Sequence, residues 1–541
     1  MDGKTLEDVV GYMHACSRRQ VTSCRPVRLD DESACCVLCA AAFMGGFEKM
    51  HGSEVQRLFA NLLDAGVRTE ADVRSWLGEF FSPVNARRWN ACRKRAEQLL
   101  AAGMEVLRPA SPFLSNPYDR TDAPRCPAVL FGKGRPSDRP RLAVFNSRKP
   151  RRVAPDADWL DVLRSSLHTL DRREIGLVGS IGTLTYDLAS VLALRQGFLQ
   201  LMVAPFPVIE TERRFSEIFG EDGTNAIPVL SCMFDGPACP AKQPMRCRDR
   251  LLAGLSDFHL VLEIRSGGNL LSILEQVQSK SPRPQFIVKP VPAGSSNAGN
   301  FILLKDFPEH AIAFESSAPK VAVRTEPTSA ADSVRSSGGA LRLASSGSIS
   351  WSEYLYHYTR TGSGPWPGET YRQYLLGLLD DRPGSDRSAL EVLTRIAQEG
   401  LLRAGSRMVR GKTTVICWSS LPPSELFVMR KWRRGLRRWT VEPYGVAVRR
   451  DVLRSLGAKP AIYGSGELYS KLPEVEKFRF QLSCATPSAS WRHEREWRLT
   501  GDLALGGIRP EQGFYFVQTA EEAGKLYARA GSGLPVVVIN E

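Results

Sequence analysis

Between Pro140 and Phe314, short apolar runs repeatedly end in small or polar residues and give way to helical stretches. Leu142-Ala143-Val144-Phe145 is closed by Asn146-Ser147-Arg148-Lys149-Pro150. A segment with Trp159, Leu160, Val162, Leu163 and Leu167 at helical spacing follows. Ile175-Gly176-Leu177-Val178 runs into Gly179-Ser180-Ile181-Gly182-Thr183, then into a helix through Leu188, Val191 and Leu192. Leu199–Val203 precedes a helix through Phe215–Phe219, and Ile227–Leu230 comes next. The run His259–Ile264 ends at Arg265-Ser266-Gly267-Gly268, before a helix from Asn269 to Ser279, and Phe286-Ile287-Val288 is the last run. These runs have the length and composition of buried strands. Strands alternating with helices predict a mainly parallel, doubly wound sheet.

Such sheets bind ligands at the carboxyl ends of their strands, where the strand order switches. The loops at Asn146–Arg148, Gly179–Thr183 and Ser266–Asn269 are expected to gather there. Glycines let a phosphate approach the backbone, and free N–H groups at helix starts hold it. The residues predicted to form one nucleotide- or DNA-binding pocket are Ser147, Arg148, Gly179, Ser180, Gly182, Arg248, Arg250, Gly267 and Gly268. Neither Arg148 nor Arg248 falls on an apolar face, so both are expected to be available to neutralise phosphate.

The stretch resembles the DNA-processing protein A (DprA/Smf) family. Asn146-Ser147-Arg148 stands where that family reads Gly-Ser-Arg. Gly179–Asp187 is similar to its Ser-Gly-x-Ala-x-Gly-Ile-Asp loop, and Arg248-Asp249-Arg250 to its Arg-Asn-Arg segment. Glu263 with Ser266-Gly267-Gly268 is similar to its acidic strand and Ser-Gly turn. Pro292-Ala293-Gly294 with Asn297, Asn300 and Leu303-Leu304 is similar to its closing segment. The resemblance implies a Rossmann-like sheet domain, a single-stranded-DNA or nucleotide ligand, and a homodimer through the sheet domain. The departures at Asn146 and Asp249 place an amide and an acid where the family has Gly and Asn, and an acid beside a phosphate site adds repulsion.

A chain of 541 residues, 43% apolar, has material for several domains. No run of about 18 apolar residues predicts a membrane span, and the segment after Met1 lacks an apolar signal core. The twelve Cys have no framework spacing, which suits a reducing cytoplasm. Cys35, Cys36 and Cys39 sit in an Ala-rich apolar segment and read as small buried thiols rather than zinc ligands. Residues 31–107 carry helical faces, such as Val73, Trp76, Leu77, Phe80 and Phe81, and Trp89, Cys92, Ala96, Leu99 and Leu100. A small helical domain is therefore expected over 1–108, the doubly wound domain over 109–315, and a Ser/Ala/Gly-rich linker over 316–350.

The net charge is +14, and Arg403–Arg454 alone holds thirteen Lys/Arg against three acids, a surplus suited to polyanions. The segment 351–541 reads as an α+β domain, with runs such as Val415–Trp418, Tyr444–Val448, Phe514–Val517 and Val536–Ile539. In Trp491–Leu499, read as one strand, Arg492, Glu494, Glu496 and Arg498 share a face. Two carboxylates with two guanidiniums there make either a surface ladder of ion pairs or a cleft floor where one Glu does chemistry.

Tyr356-His357-Tyr358-Thr359, the Gly400-Leu401-Leu402 helix end, Pro443-Tyr444-Gly445-Val446-Ala447-Val448 and Trp491–Arg498 resemble abortive phage-resistance (AbiGi-like) domains, and distantly ADP-ribosyltransferases. That resemblance implies NAD as cosubstrate, His357 and Thr359 as its contacts, Tyr358 as a nicotinamide platform, Glu496 or its competitor Glu494 as the catalytic carboxylate, and Arg403 and Arg407 on the pyrophosphate. It implies an anti-phage role, with phage or host nucleic acid as acceptor. Two other readings stand beside this sensor–effector reading. One is a non-enzymatic single-stranded-DNA-binding protein with a C-terminal interaction domain, and the other is a nucleotide sensor that never touches DNA.

Overall fold

The computed structural model describes residues 5–17, 27–44, 69–80, 86–108, 130–149, 153, 158–220, 227–231, 242–290, 297–315, 343–344, 349–362, 364–380, 382, 385, 387–406, 409–411, 413–428, 430–433, 438–483, 494–530 and 533–539. Arg407, Arg492 and most of the expected linker lie outside the described residues.

The chain divides into two compact units. The first is 1–321 together with 365–382, and the second is 322–364 with 383–541. The first unit holds a ten-stranded sheet. Its strands are β1 (Val27–Arg28), β2 (Met104–Arg108), β3 (Leu130–Lys133), β4 (Arg141–Phe145), β5 (Gly176–Gly179), β6 (Gln200–Ala204), β7 (Val229–Ser231), β8 (Phe258–Val261), β9 (Gln285–Val288) and β10 (Ala311–Phe314). The order is β1-β2-β3-β7-β6-β5-β4-β8-β9-β10. Strands β4 to β10 run parallel, and β1 to β3 extend the sheet in antiparallel fashion. The chain enters at β4, walks outward through β5, β6 and β7, then returns to β8 on the other side of β4. The carboxyl ends of β4 and β8 are therefore the topological switch point.

Every residue of β4, β6 and β8 is buried, which explains why these strands read as continuous apolar runs. The helices of this unit are α1 (Leu6–Ser17), α2 (Asp31–Met44), α3 (Glu70–Phe80), α4 (Ala86–Ala101), α5 (Asp158–Thr169), α6 (Leu184–Arg195), α7 (Val208–Phe219), α8 (Lys242–Leu255), α9 (Asn269–Lys280), α10 (Ala298–Asp306) and α11 (Tyr371–Leu379). One core joins α1, α5, α6, α7 and α11 to one face of the sheet, and the other joins α8, α9 and α10 to the opposite face. The doubly wound α/β class expected from the sequence is what the structure has. Trp89, Cys92, Ala96 and Leu99 on α4 are buried, as their spacing predicts. Two features differ from the expected division. The N-terminal helical region contributes β1 and β2 to the central sheet. And α11 lies beyond the expected boundary at 351 yet belongs to the first unit, because Tyr374, Leu375, Leu378 and Leu379 are buried in its core.

The second unit holds an eight-stranded sheet, as an α+β domain requires. In chain order its strands are β11 (Leu343–Ala344), β12 (Tyr354–Tyr358), β13 (Val415–Ser419), β14 (Gly445–Arg449), β15 (Lys459–Pro460), β16 (Glu496–Thr500), β17 (Gly513–Val517) and β18 (Val536–Val538), with helix α12 (Ala389–Glu399) packed alongside. They lie in the order β11-β18-β17-β14-β12-β13-β16-β15. Strand β13 thus separates β12, which carries His357, from β16, which carries Glu496. No helix among the described residues is long and apolar enough to cross a membrane.

Candidate functional site

At the switch point the loops after β4 and β8 are tied together. Ser147 N–H donates to Glu263 O at 2.8 Å, and Arg265 N–H donates to Ser147 Oγ at 3.0 Å. Asn300, at the start of α10, locks the same corner. Its amide donates to Leu262 O (2.8 Å) and Val288 O (2.9 Å) and accepts from Ile264 N–H (2.8 Å). Lys149 pairs with Glu263. Burial first, then the positive Arg265 nearby, lower the Lys149 ammonium to about 8. Arg148, Arg265, Ser266 and Gly267 are exposed on this rim. Gly267 has φ +68, a backbone that suits only glycine without strain, and it sets the turn that opens α9. Asn146 is buried at the end of β4, and neither Nδ2 nor Oδ1 has a hydrogen-bond partner among the described residues.

Other residues predicted for this pocket are built into the fold instead. Ser180 is fully buried and donates to Val203 O at 2.6 Å. Gly179 is required by packing, since a Cβ there would meet Ser190 Oγ at 2.9 Å and Met202 Sδ at 3.0 Å. Gly182 N–H is taken by Asp187 Oδ1 at 2.8 Å. Arg248 corrects the expectation most clearly. It is 2% exposed, paired to Asp249 at 2.8 Å and stacked 4.6 Å from the Tyr186 ring centroid, while Tyr186 Oη donates to Asp249 at 3.0 Å. The acid at 249 is the internal counter-ion of Arg248, so it neither repels a ligand directly nor leaves Arg248 to bind one. Arg250, two residues on along α8, donates to Gln276 on α9 at 2.8 Å. What remains at the switch point is Asn146, Ser147, Arg148, Lys149, Arg265, Gly267 and Gly268. Lys149 and Arg265 were missed as site residues, although both flank the segments that carried the family resemblance.

The second unit has a cleft of about 330 Å³. His357, Tyr358, Thr359, Glu494 and Glu496 all line it, together with Arg360, Cys417, Trp418 and Arg498. Glu496 opens β16 and is held by Arg498, whose Nε lies 2.9 Å from Oε1. Arg498 is 1% exposed and spends its other donors on Phe478 O (3.0 Å), Phe480 O (2.7 Å) and Gln481 Oε1. The carboxylate is therefore fixed by a guanidinium that is itself fixed. Glu494 reaches the same cleft by a different route than strand alternation. It sits in a helical turn, and Arg495 has φ +46, the left-handed region rare for a side-chain-bearing residue. Ser419 Oγ donates to Glu494 O at 2.6 Å and clamps this kink.

His357 Nδ1 is 3.0 Å from Cys417 O and donates to it, which leaves Nε2 as the acceptor. Enclosure in the cleft first, then the Arg360 charge, lower its pKa to about 4, against the carbonyl's opposing effect. The imidazole is neutral at physiological pH. The Cys417 thiol, which the sequence reading passed over, is pushed up by enclosure and by the adjacent Glu496 carboxylate, and stays protonated. Tyr358 donates its hydroxyl to Leu421 O at 3.0 Å and packs edge-on to Phe516, so it offers the cleft only its ring. Thr359 corrects another expectation. It is 2% exposed, and its hydroxyl is taken by Ala389 O (2.8 Å) and Tyr444 O (3.2 Å). Arg403 is occupied by Glu399 at the end of α12 and does not line the cleft. A fixed carboxylate, a neutral imidazole acceptor and an aromatic ring in a cleft of this size fit the nicotinamide–ribose end of NAD.

Two solved structures resemble part of the chain. One is DNA processing protein A from Streptococcus pneumoniae, at 17% identity over 53% of this chain and 95% of that one, with a TM-score of 0.33. The other is DNA processing protein A from Helicobacter pylori, whose structure addresses its single-stranded DNA binding mode. It matches at 17% identity over 39% of this chain and 90% of that one, with a TM-score of 0.28. No protein-family model and no curated protein matches.

Proposed function

We propose that the first unit binds a phosphate-bearing ligand, single-stranded nucleic acid or a nucleotide, at the β4/β8 switch point, and that the second unit is an effector acting through the cleft around Glu496. The binding half rests on one observation: the Ser147–Glu263 and Arg265–Ser147 bonds hold two glycine- and serine-bearing loops together under exposed Arg148 and Arg265. Two guanidiniums beside a helix start that has no side-chain cap suit phosphate oxygens. The test is titration of a fluorescent oligo(dT) at several salt concentrations. Exchanging both Arg148 and Arg265 for Ala should weaken binding at least tenfold and flatten the salt dependence by about one to two phosphate contacts. Unchanged affinity and slope would remove the switch point from the reading, and a response to free nucleotides but not to oligonucleotides would select the nucleotide sensor.

For the effector half we favour ADP-ribosyl transfer because His357 and the Arg498-held Glu496 share one cleft. NAD would supply an ADP-ribosyl group whose carbon gains positive charge as nicotinamide leaves. Glu496 supplies a negative charge held in place before that charge develops. His357 Nε2 would accept a hydrogen bond from a ribose hydroxyl, and Tyr358 would offer its ring to the leaving heterocycle. Release of nicotinamide from NAD, with and without single-stranded DNA and cell extract, tests this, and no release under any of these conditions would leave the interaction-domain alternative. A role in anti-phage defence follows from the same reading and is measured by plating phage on cells that express the protein. A homodimer through the sheet unit belongs to it as well and is measured by sedimentation.

A further inference from the structure

The polar groups around the effector cleft are almost all matched to a partner. Arg498 is divided between Glu496 and three oxygens of the segment 478–481. Thr359, Tyr358 and Ser419 give their hydroxyls to backbone carbonyls, and His357 gives Nδ1–H to Cys417 O. Two groups are different. Arg360 Nε and Trp418 Nε1 are both shut off from solvent, and neither has a hydrogen-bond partner among the described residues. Both residues line the cleft. Both orphaned groups are donors, so the missing partner is an acceptor. An amide or ammonium donor would not serve, whereas an oxygen-rich anion would satisfy both.

The charges agree with the donors. Glu496 is neutralised by Arg498, and among the described residues Arg360 makes no ion pair with Glu494, Glu496 or any other acid. The positive charge of Arg360 is felt at both His357 and Cys417, where it disfavours protonation of the one and favours ionisation of the other. Arg360 is thus a cleft-lining cation without an ion-pair partner among the described residues, two positions after the strand that carries His357. We infer that Arg360, with the Trp418 indole N–H, is the anion-holding end of this cleft and takes the phosphate oxygens of a nucleotide. This rests on the nucleotide reading of the effector cleft, and it moves the phosphate contact from Arg403 and Arg407 to a residue no motif singled out.

The anion can come from the pyrophosphate of a dinucleotide or from a phosphate of nucleic acid, and calorimetry on the full chain separates them. Arg148 and Arg265 are first exchanged for Ala so that the switch point does not contribute. The probes are ADP-ribose, inorganic pyrophosphate, a 5′-phosphorylated single-stranded oligonucleotide, and adenosine as the phosphate-free control. ADP-ribose and pyrophosphate are expected to bind, and Arg360→Gln to weaken both by about tenfold or more, since a charge-assisted contact is lost. Arg360→Lys should recover part of that affinity as a point charge without the planar fork. The Tm of unliganded Arg360→Gln should not fall, because no protein partner is lost, whereas a merely structural arginine would lower it. If only the oligonucleotide binds, in an Arg360-dependent way, the anion-holding end stands and the dinucleotide reading fails. Binding of ADP-ribose, pyrophosphate and the oligonucleotide by Arg360→Gln as tightly as by the parent, or no binding of any of the three by the parent, would overturn the inference.

Discussion

Glu496 carries the most weight of any single residue, and its partner makes the prediction sharper than a lone carboxylate would allow. Glu496→Gln keeps shape and an acceptor for Arg498 but removes the counter-charge of a buried guanidinium, so it should cost up to about 3 kcal/mol of stability. Activity should fall a hundredfold or more if the charge works on a developing cation. Arg498→Met leaves the carboxylate without its counter-ion and should cost about 3–5 kcal/mol, visible as a lower Tm before any assay is run. Full activity in well-folded Glu496→Gln would shift attention to Glu494, and full activity in the double variant would end the enzymatic reading. A second residue-scale prediction concerns pH. His259 is fully buried on β8, gives Nε2–H to Ala253 O (3.2 Å) and accepts at Nδ1 from Gln285 (3.3 Å), so both nitrogens are committed to the neutral ring. Burial first, and Arg283 second, lower its pKa from 6.5 to about 3. The unfolded ring gains a proton below 6.5 and the folded one does not, so stability is lost as pH falls from about 6.5 towards 3, by a few kcal/mol on the order of magnitude. Urea midpoints at pH 7 and pH 4, followed by protection of the β8 amides, measure it. His259→Asn should flatten this window, and a parent midpoint that does not move would show that the ring charges at no cost. At this scale the sequence was a partial guide. Residue types marked the right clefts, but whether Ser180, Thr359 or Arg248 faces a ligand or a backbone carbonyl depends on neighbours 23 to 85 positions away.

Among the elements, the parallel strands were the most legible, because a strand buried on both faces has to be apolar throughout. The segment Trp491–Leu499 was less so. Period-two alternation places Glu494 and Glu496 on one face only while the backbone stays extended, and the left-handed Arg495 breaks that condition. The allegiance of α11 was not legible at all, since an amphipathic helix looks the same whichever core it enters. Its attachment is specific. Thr370 and Gln373 form a capping box at its start. Tyr371 Oη donates to Asp187 Oδ2 at 2.7 Å, and the other oxygen of Asp187 holds Gly182 N–H. Asp380 pairs with Arg195 on α6, and Arg164 on α5 donates to Leu378 O. Leu375→Ala should therefore destabilise the first unit by about 2–5 kcal/mol, as removal of a buried leucine does. Tyr371→Phe should cost about 1 kcal/mol, mainly by releasing the Asp187 carboxylate. Hydrogen exchange at residues 179–187 reads both effects. Protection there that survives Leu375→Ala unchanged would mean α11 is not part of the cooperative unit.

For the whole molecule, this helix decides where the chain is divisible. A cut after residue 315 matches the change in composition, yet it removes α11 from a core that includes Leu188, Val191, Phe215, Ile218 and Phe219. Those side chains would lose a buried partner surface, and exposed apolar area of that kind destabilises and promotes association. Fragment 1–315 should therefore melt lower than the first transition of the intact chain and associate at concentrations where the intact chain does not. A synthetic peptide of residues 365–382 added in trans should raise its Tm progressively with peptide concentration, as any ligand of the folded state does. The same peptide carrying Leu375→Ala should fail to do so. The intact chain needs no such rescue because 365–382 is covalently held, entering after Gly364 and leaving before Arg387. Arg387 Nε donates to Gly364 O at 3.0 Å, and Gly362 N–H donates to Arg387 O at 2.7 Å, which closes the base of the excursion within the second unit. If fragment 1–315 melts as high as the intact chain and ignores the peptide, residues 365–382 are a passive cover, and the two units are separable at the composition boundary after all.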